Sequence, residues 1–339
     1  MNNSEISGIE AQSNISVDIA YFINKIDQAF STISYGDNPP ELYEPIRYIM
    51  QLGGKRLRPL ITLLSGYLFR DDIEACLKPA LGVEVFHNFT LLHDDIMDKA
   101  PLRRGKLTVH EKWNANIAIL SGDVMMVRAY ELFLEVELGK LQKVLKLFSN
   151  CAAAVCEGQQ LDMNFETLAQ ISIEDYLHMI TLKTAVLLGF SLELGAVLNG
   201  ARENDALLLK NFGINIGIAF QLRDDLLDVY GNQDKFGKQV GGDILADKKT
   251  FLLITALAQA SSEQRKILTQ YRQESVFSAD DKIKKVTAVY NQLNIRAQTE
   301  TVINQYFNEA LQSLEAVNAP EERKVLLRNL AIGLMKRES

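Results

Sequence analysis

Six of the seven prolines, Pro39, Pro40, Pro45, Pro59, Pro79 and Pro101, fall in the first third of the chain, and the next is Pro320. A proline inside a helix removes a hydrogen bond and clashes with the preceding turn, so the long proline-free middle permits long helices. Stretches such as ANIAILSGDVMMVRAYELFLEVE and DALLLKNFGINIGIAFQLRDDLLDVYG are apolar at three- and four-residue spacing, and clean two-residue alternation is scarce. The chain therefore reads as all-α. Its 339 residues, 47% hydrophobic, suffice for a large core, and no Pro/Gly/Ser-rich linker divides them. One domain is expected over residues 17–339, behind a flexible polar tail at 1–16 that lacks the basic start and apolar stretch of a secretory signal.

Net charge is −7, which predicts no broad electrostatic footprint for nucleic acid. The three cysteines, Cys76, Cys151 and Cys156, form no CxxC pair, and their odd number argues against a disulfide framework; a reducing cytoplasm fits. AVLLGFSLELGAVLNG carries Glu193 in its middle and is too short for an unbroken span, so it reads as a buried core helix and no transmembrane segment is expected.

Against this apolar background stand two acid clusters of the same spacing, HDDIMD at 93–98 and RDDLLD at 223–228. On a helix Asp94 and Asp98 share a face, as do Asp224 and Asp228, and like charges four residues apart destabilise a helix unless a cation sits between them. Aspartate oxygens suit Mg2+, which is usually held by one or two carboxylates together with substrate phosphates. Six carboxylates, counting Asp95 and Asp225, suit several Mg2+ ions sharing a polyanion between two helices.

Basic groups for that polyanion occur in compact runs. In GGKRLRP at 53–59, Gly53 and Gly54 can end one helix while Pro59 begins the next, which leaves Lys55, Arg56 and Arg58 near a helix N-terminus where anions are favoured. PLRRGK at 101–106 brings Arg103 and Arg104 beside the first acid cluster, and arginine grips phosphate bidentately. A Gly- and Lys-rich loop after the second cluster offers Lys238 and Lys248; spacing alone does not exclude Lys235 and Lys249.

Taken in order, GGKRLRP, DDxxD followed by RRG, the pair Lys183-Thr184, and QLRDDLLD with its lysine loop resemble the trans-isoprenyl diphosphate synthases, over about Tyr43 to Lys249. The resemblance implies a single large helical bundle around a deep central cavity, usually homodimeric. It also implies condensation of isopentenyl diphosphate with an allylic diphosphate, with release of inorganic diphosphate. Mapped residue by residue, Asp94, Asp98 and Asp224 would be the main Mg2+ ligands, supported by Asp95, Asp225 and Asp228. Arg103, Lys183 and Lys238 would hold the allylic diphosphate, with Lys248 nearby, and Lys55, Arg58, His87 and Arg104 the isopentenyl diphosphate. Thr184 and Gln221 would line the site where the carbocation forms.

In the family an aromatic just before the first acid cluster acts as a floor for the growing chain. Phe89 with the small Thr90 beside it resembles synthases that make C20 geranylgeranyl diphosphate, while C15 farnesyl synthases often carry two aromatics or an inserted acid motif; Phe86 is a further candidate for the floor. Other readings fit less well. A terpene cyclase usually has a mixed second motif, and a non-catalytic regulatory subunit would carry degraded acid motifs. A di-iron protein would need a second partner for the ExxH of Glu84 and His87.

Overall fold

The computed structural model describes residues 18–231, 241–270 and 278–336. Helices dominate, as the sequence predicts. In chain order they are α1 (Ile19–Ser31), α2 (Pro40–Gln51), α3 (Leu57–Tyr67), α4 (Glu74–Met97), the short α5 (Val109–Lys112), α6 (Ala115–Leu134), α7 (Leu138–Thr167), α8 (Ile173–Ile180), α9 (Val186–Leu198) and α10 (Glu203–Tyr230). After them come α11 (Gly242–Leu245), α12 (Phe251–Gln259), α13 (Ser262–Gln270), α14 (Ala279–Gln292), α15 (Ile295–Ala316) and α16 (Glu321–Met335). Between α4 and α5 two antiparallel strands, β1 (Leu102–Arg103) and β2 (Lys106–Leu107), make a small hairpin.

The prolines sit near helix starts, with two refinements. Pro45 and Pro79 are each the sixth residue of their helices, where they interrupt only the first turns. Pro59 is the third residue of α3 rather than its first, because the helix begins at Leu57; it loses nothing there, since the first four N–H groups of a helix have no partner within it. Side-chain caps define other starts. Asn114 accepts from the Ile117 N–H ahead of α6, and Ser172 and Asp175 form a reciprocal capping box ahead of α8.

Helix α10 packs along α9 and α15, and α4 packs along α6. The stretch around Glu193 becomes α9, which lies inside the bundle against α3 and α10. Between α8 and α9 the chain makes one π-helical turn, Thr181–Ala185, that carries Lys183 and Thr184. Such turns disturb the regular hydrogen-bond ladder and recur at functional sites. Two glycines let neighbouring helices press on it: a Cβ at Gly158 of α7 would lie 2.2 Å from the Lys183 nitrogen, and one at Gly217 of α10 would lie 2.6 Å from Ala185 Cα.

Candidate active site

The first acid cluster closes α4. Asp94 is half-buried, and Asp98 caps the helix with its N–H bonded to the Asp94 carbonyl at 2.8 Å. Burial raises the Asp94 carboxyl to about 6; Lys183 pulls it back and Asp98 pushes it further up. Lys183 of the π turn is thus an electrostatic neighbour of the α4 terminus. The middle acid behaves differently. Asp95 is 2% exposed and takes a forked pair of bonds from Arg103, with Nη2 at 2.7 Å and Nε at 2.8 and 3.0 Å from its oxygens.

The second cluster opens onto a cavity of about 250 Å3, whose wall includes Lys183, Thr184, Gln221, Asp224, Asp228 and Lys248. Asp225 is buried beneath it, where the Tyr176 hydroxyl and Gln221 Nε2, the latter at 3.1 Å, donate to its carboxylate. Burial and then the charge of Asp243 raise Asp225 to about 7 despite these bonds. Burial and Asp243 likewise lift Asp228 to about 6, while the backbone N–H of Asp243 donates to its carboxylate at 2.9 Å. For Lys248 desolvation works downward, but Asp243, Asp162, Asp98 and Asp225 together leave the ammonium above its usual value. One lysine therefore feels acids from both clusters.

Three wall residues carry no signal in the sequence. Asp162 of α7 pairs with Lys183 at 2.5 Å, Asp243 of α11 stands 3.8 Å from Lys248, and Tyr176 of α8 holds Asp225. Each is an isolated residue of ordinary type, and only the fold brings it to the cavity. Lys249 lines the cavity and also donates to the carbonyls of Phe165 and Glu166 at the end of α7. Lys235, Lys238 and the 1–16 tail lie outside the described residues.

The basic runs converge beyond His87. Gly53, Gly54 and Arg56 all have positive φ, which turns the chain sharply between α2 and α3. Gly54 needs its missing side chain: a Cβ there would lie 2.9 Å from the guanidinium of Arg104, which the hairpin delivers from the other side. Arg58 is oriented inward, and its buried Nε has no hydrogen-bond partner among the described residues. Burial, followed by the charges of Arg58, Arg104, Arg103 and Arg56, holds His87 well below its usual value, so its ring is neutral at pH 7. The ExxH pair is accordingly part of an arginine cluster: Glu84 meets Arg56 at 3.2 Å.

On α4, Thr90 lies about 40° round the helix from Asp94, and Phe89 about 140°. Thr90 is half-buried, with its hydroxyl on the His87 carbonyl at 2.8 Å. Phe89 turns into an aromatic group, 5.6 Å from Phe86 and 4.7 Å from His93 between ring centres, and Phe86 in turn meets Phe148 at 5.1 Å.

The donor set fits Mg2+. Asp94, Asp98, Asp224 and Asp228 offer hard oxygens from two helices, and burial raises the cost of charge on Asp94 and Asp228 until a cation arrives. Among the described residues no three acids, imidazoles or thiols gather tightly enough to cage an ion alone. That suits an ion completed by phosphate and water rather than a closed protein site.

Comparison with known proteins follows the same lines. The sequence profile of the family described as polyprenyl synthetase matches residues 39–291. A short chain isoprenyl diphosphate synthase of Methanocaldococcus jannaschii is 41% identical over 249 residues, which cover 73% of this chain and 75% of that one. A geranylgeranyl diphosphate synthase of Sulfolobus acidocaldarius is 35% identical over 310 residues, 88% of this chain and 91% of its own. Among solved structures, a geranylgeranyl pyrophosphate synthase at 40% identity superposes with a TM-score of 0.90, over 95% of this chain and all (100%) of that one.

Proposed function

The chain belongs to the polyprenyl synthetase family and is a short-chain prenyltransferase, and from that premise we propose that it extends an allylic diphosphate with isopentenyl diphosphate to C20 geranylgeranyl diphosphate. The observation that carries this reading is the cavity at the second cluster, whose wall includes Asp224, Asp228, Lys183 and Lys248; Lys183 acts on Asp94 and Lys248 feels Asp98, which supports a diphosphate shared between the clusters.

Asp94, Asp98, Asp224 and Asp228 would hold Mg2+, which when bound neutralises the negative charge that builds on a leaving diphosphate. Asp95 contributes by fixing Arg103, and Asp225 by fixing Gln221. Arg103, Lys183 and Lys248, with Lys238 by resemblance, hold the allylic diphosphate. Lys55, Arg58, His87 and Arg104 hold the isopentenyl diphosphate, to which a neutral His87 can donate one ring N–H. The allylic C–O bond ionises with its electron pair leaving on the diphosphate. The isopentenyl double bond then attacks the allylic carbon, and the departed diphosphate takes the proton lost from the isopentenyl unit. Thr184 and Gln221, 3.4 Å apart, line this reacting region, and the apolar helices around it keep water from the cation.

The assembly we propose is a homodimer in a reducing cytoplasm. Leu120, Val127 and Leu134 recur every seven residues on α6 and are 57%, 55% and 55% exposed, an apolar row, interrupted by the exposed Asp123 and Glu131, that a second copy would cover. Cys76, Cys151 and Cys156 are all free thiols.

The test is to incubate the protein with Mg2+, isopentenyl diphosphate and, separately, C5, C10 and C15 allylic primers, and to size the products by mass spectrometry. A C20 end point is expected. A C15 or C25 end point would overturn the chain length and keep the reaction, and no condensation with any primer would overturn the reaction itself.

A further inference from the structure

Glu84 stands 3% exposed in the middle of the arginine cluster. Three cations act on it, Arg56 from the turn before α3, Arg58 from the first turn of α3 and Arg104 from the hairpin, against this one carboxylate. Its Oε1 accepts from Arg56 Nη1 at 3.2 Å and from Asn88 Nδ2 at 3.3 Å, and the same Asn88 amide donates to the Glu84 carbonyl at 2.9 Å. Asn88 is on α4 one turn away, so the carboxylate is braced by its own helix. Arg56 is fixed twice more, by the Met50 carbonyl at 2.9 Å and by the Phe30 ring 4.4 Å from its guanidinium carbon.

Burial lowers both Arg58 and Arg104, and in each case Glu84 is the largest charge acting the other way, while the neighbouring arginines add to the strain. Guanidiniums crowded out of water repel, and without a counterion the half-exposed ones would swing outward. Excess positive charge nevertheless remains, because one carboxylate cannot balance three arginines. That excess is what a diphosphate supplies.

We propose that Glu84 is the positioning residue of the isopentenyl diphosphate site: its buried carboxylate gathers Arg56, Arg58 and Arg104 from separate segments before the diphosphate arrives. The assignment rests on the reaction proposed above. It predicts an effect confined to one substrate, because the allylic half is organised by other acids, Asp95 on Arg103 and Asp162 on Lys183.

The experiment measures steady-state kinetics of Glu84→Gln and Glu84→Asp beside the unaltered protein, varying each substrate in turn, with isopentenyl diphosphate binding read by calorimetry without primer. Removing one partner of a buried charge pair weakens binding strongly, so Glu84→Gln should raise KM and Kd for isopentenyl diphosphate roughly thirtyfold. KM for the allylic substrate, and kcat at saturating isopentenyl diphosphate, should stay within about threefold. Glu84→Asp keeps the charge one methylene further back and should lie between the two; it also serves should the glutamine variant fail to fold. Equal increases in both KM values, or an isopentenyl diphosphate affinity within about threefold of the unaltered protein in either folded variant, would overturn the proposal. An unaltered protein that condenses nothing would instead overturn the reaction reading, which the calorimetry does not depend on.

Discussion

Asp95 gives both of its carboxylate oxygens to Arg103, at 2.7 to 3.0 Å, and so turns away from the space that Asp94 and Asp98 address. Asp225 occupies the same place in the second cluster but is held by a neutral phenol and an amide, from Tyr176 and Gln221. The two motifs match in spelling and differ in support: the first holds an ion pair, and the second buries a carboxyl to which, among the described residues, no cation is bonded.

Within the first cluster, neighbouring aspartates should therefore fail in opposite ways. Asp94→Ala, like Asp224→Ala, removes a proposed metal ligand, and turnover should fall by orders of magnitude. Stability should be unchanged or higher, because Asp94 is raised to about 6 by burial and by Asp98 and so carries an unfavourable charge at neutral pH. Asp95→Ala leaves Arg103 without its partner, and breaking such a buried pair costs about 3 kcal/mol or more. Denaturant melts and kinetics on the three variants check this; a fully active Asp94→Ala or Asp224→Ala enzyme would exclude that residue as a ligand.

The acid clusters were legible in the sequence because their geometry is local. Four-residue spacing on a helix dictates which carboxylates share a face, whereas the separate partners of Asp95 and Asp225 come from other elements and are not announced by spacing. The arginine runs were legible for a related reason, since the glycines and the proline beside them mark the turns. Asp162, Asp243, Tyr176 and the role of Glu84 were not. Their partners lie on other elements: Asp162 reaches Lys183 only because Gly158 lets α7 lie against a π turn, and no helical period in the sequence announces that turn. The arginine facing Glu84 comes from a loop 28 residues earlier.

Proton linkage makes a separate prediction. Burial holds Asp94 and Asp228 at about 6 and Asp225 at about 7, all above the ordinary value of 3.8. Between the ordinary and the raised values the folded chain binds more protons than the unfolded one, so stability falls as pH rises through that window and the full penalty is present above it. His87 acts the other way below about pH 6.5, because its lowered value makes the folded state bind fewer protons there. From about pH 6.5 to about pH 8 the acids outweigh the smaller opposite contribution that His87 still makes, and the metal-free protein should lose on the order of 1 kcal/mol. Mg2+ with diphosphate should remove most of that loss. Urea melts at the two pH values test it, and a metal-free protein that gains stability toward pH 8 would contradict it.

The stripe on α6 predicts the oligomer. Replacing Leu120 and Val127 together by Glu places charges on two of its three members, so light scattering should find a dimer for the unaltered chain and a monomer for the variant. The core side of α6, formed by Ala118, Met125, Ala129 and Phe133, is untouched, and the variant should keep its helical circular dichroism. An unchanged mass would move the interface elsewhere.

Product length turns on which side of α4 the chain grows along. Thr90 lies on the Asp94 side, whereas Phe89 points into the rings of Phe86 and His93. A ring at Thr90 therefore obstructs the path directly, and Thr90→Phe should stop growth at C15. Phe89→Ala should lengthen the product beyond C20, because a large buried ring is removed and the space it leaves adjoins that path. Behind it, however, stand Phe86 and Phe148, 5.1 Å apart, so a single deletion should admit about one further C5 unit rather than an open-ended series. Mass spectrometry of the products separates the cases. A C20 product from Thr90→Phe would mean the chain does not pass Thr90, and a C20 product from Phe89→Ala would assign the floor to the rings beneath it.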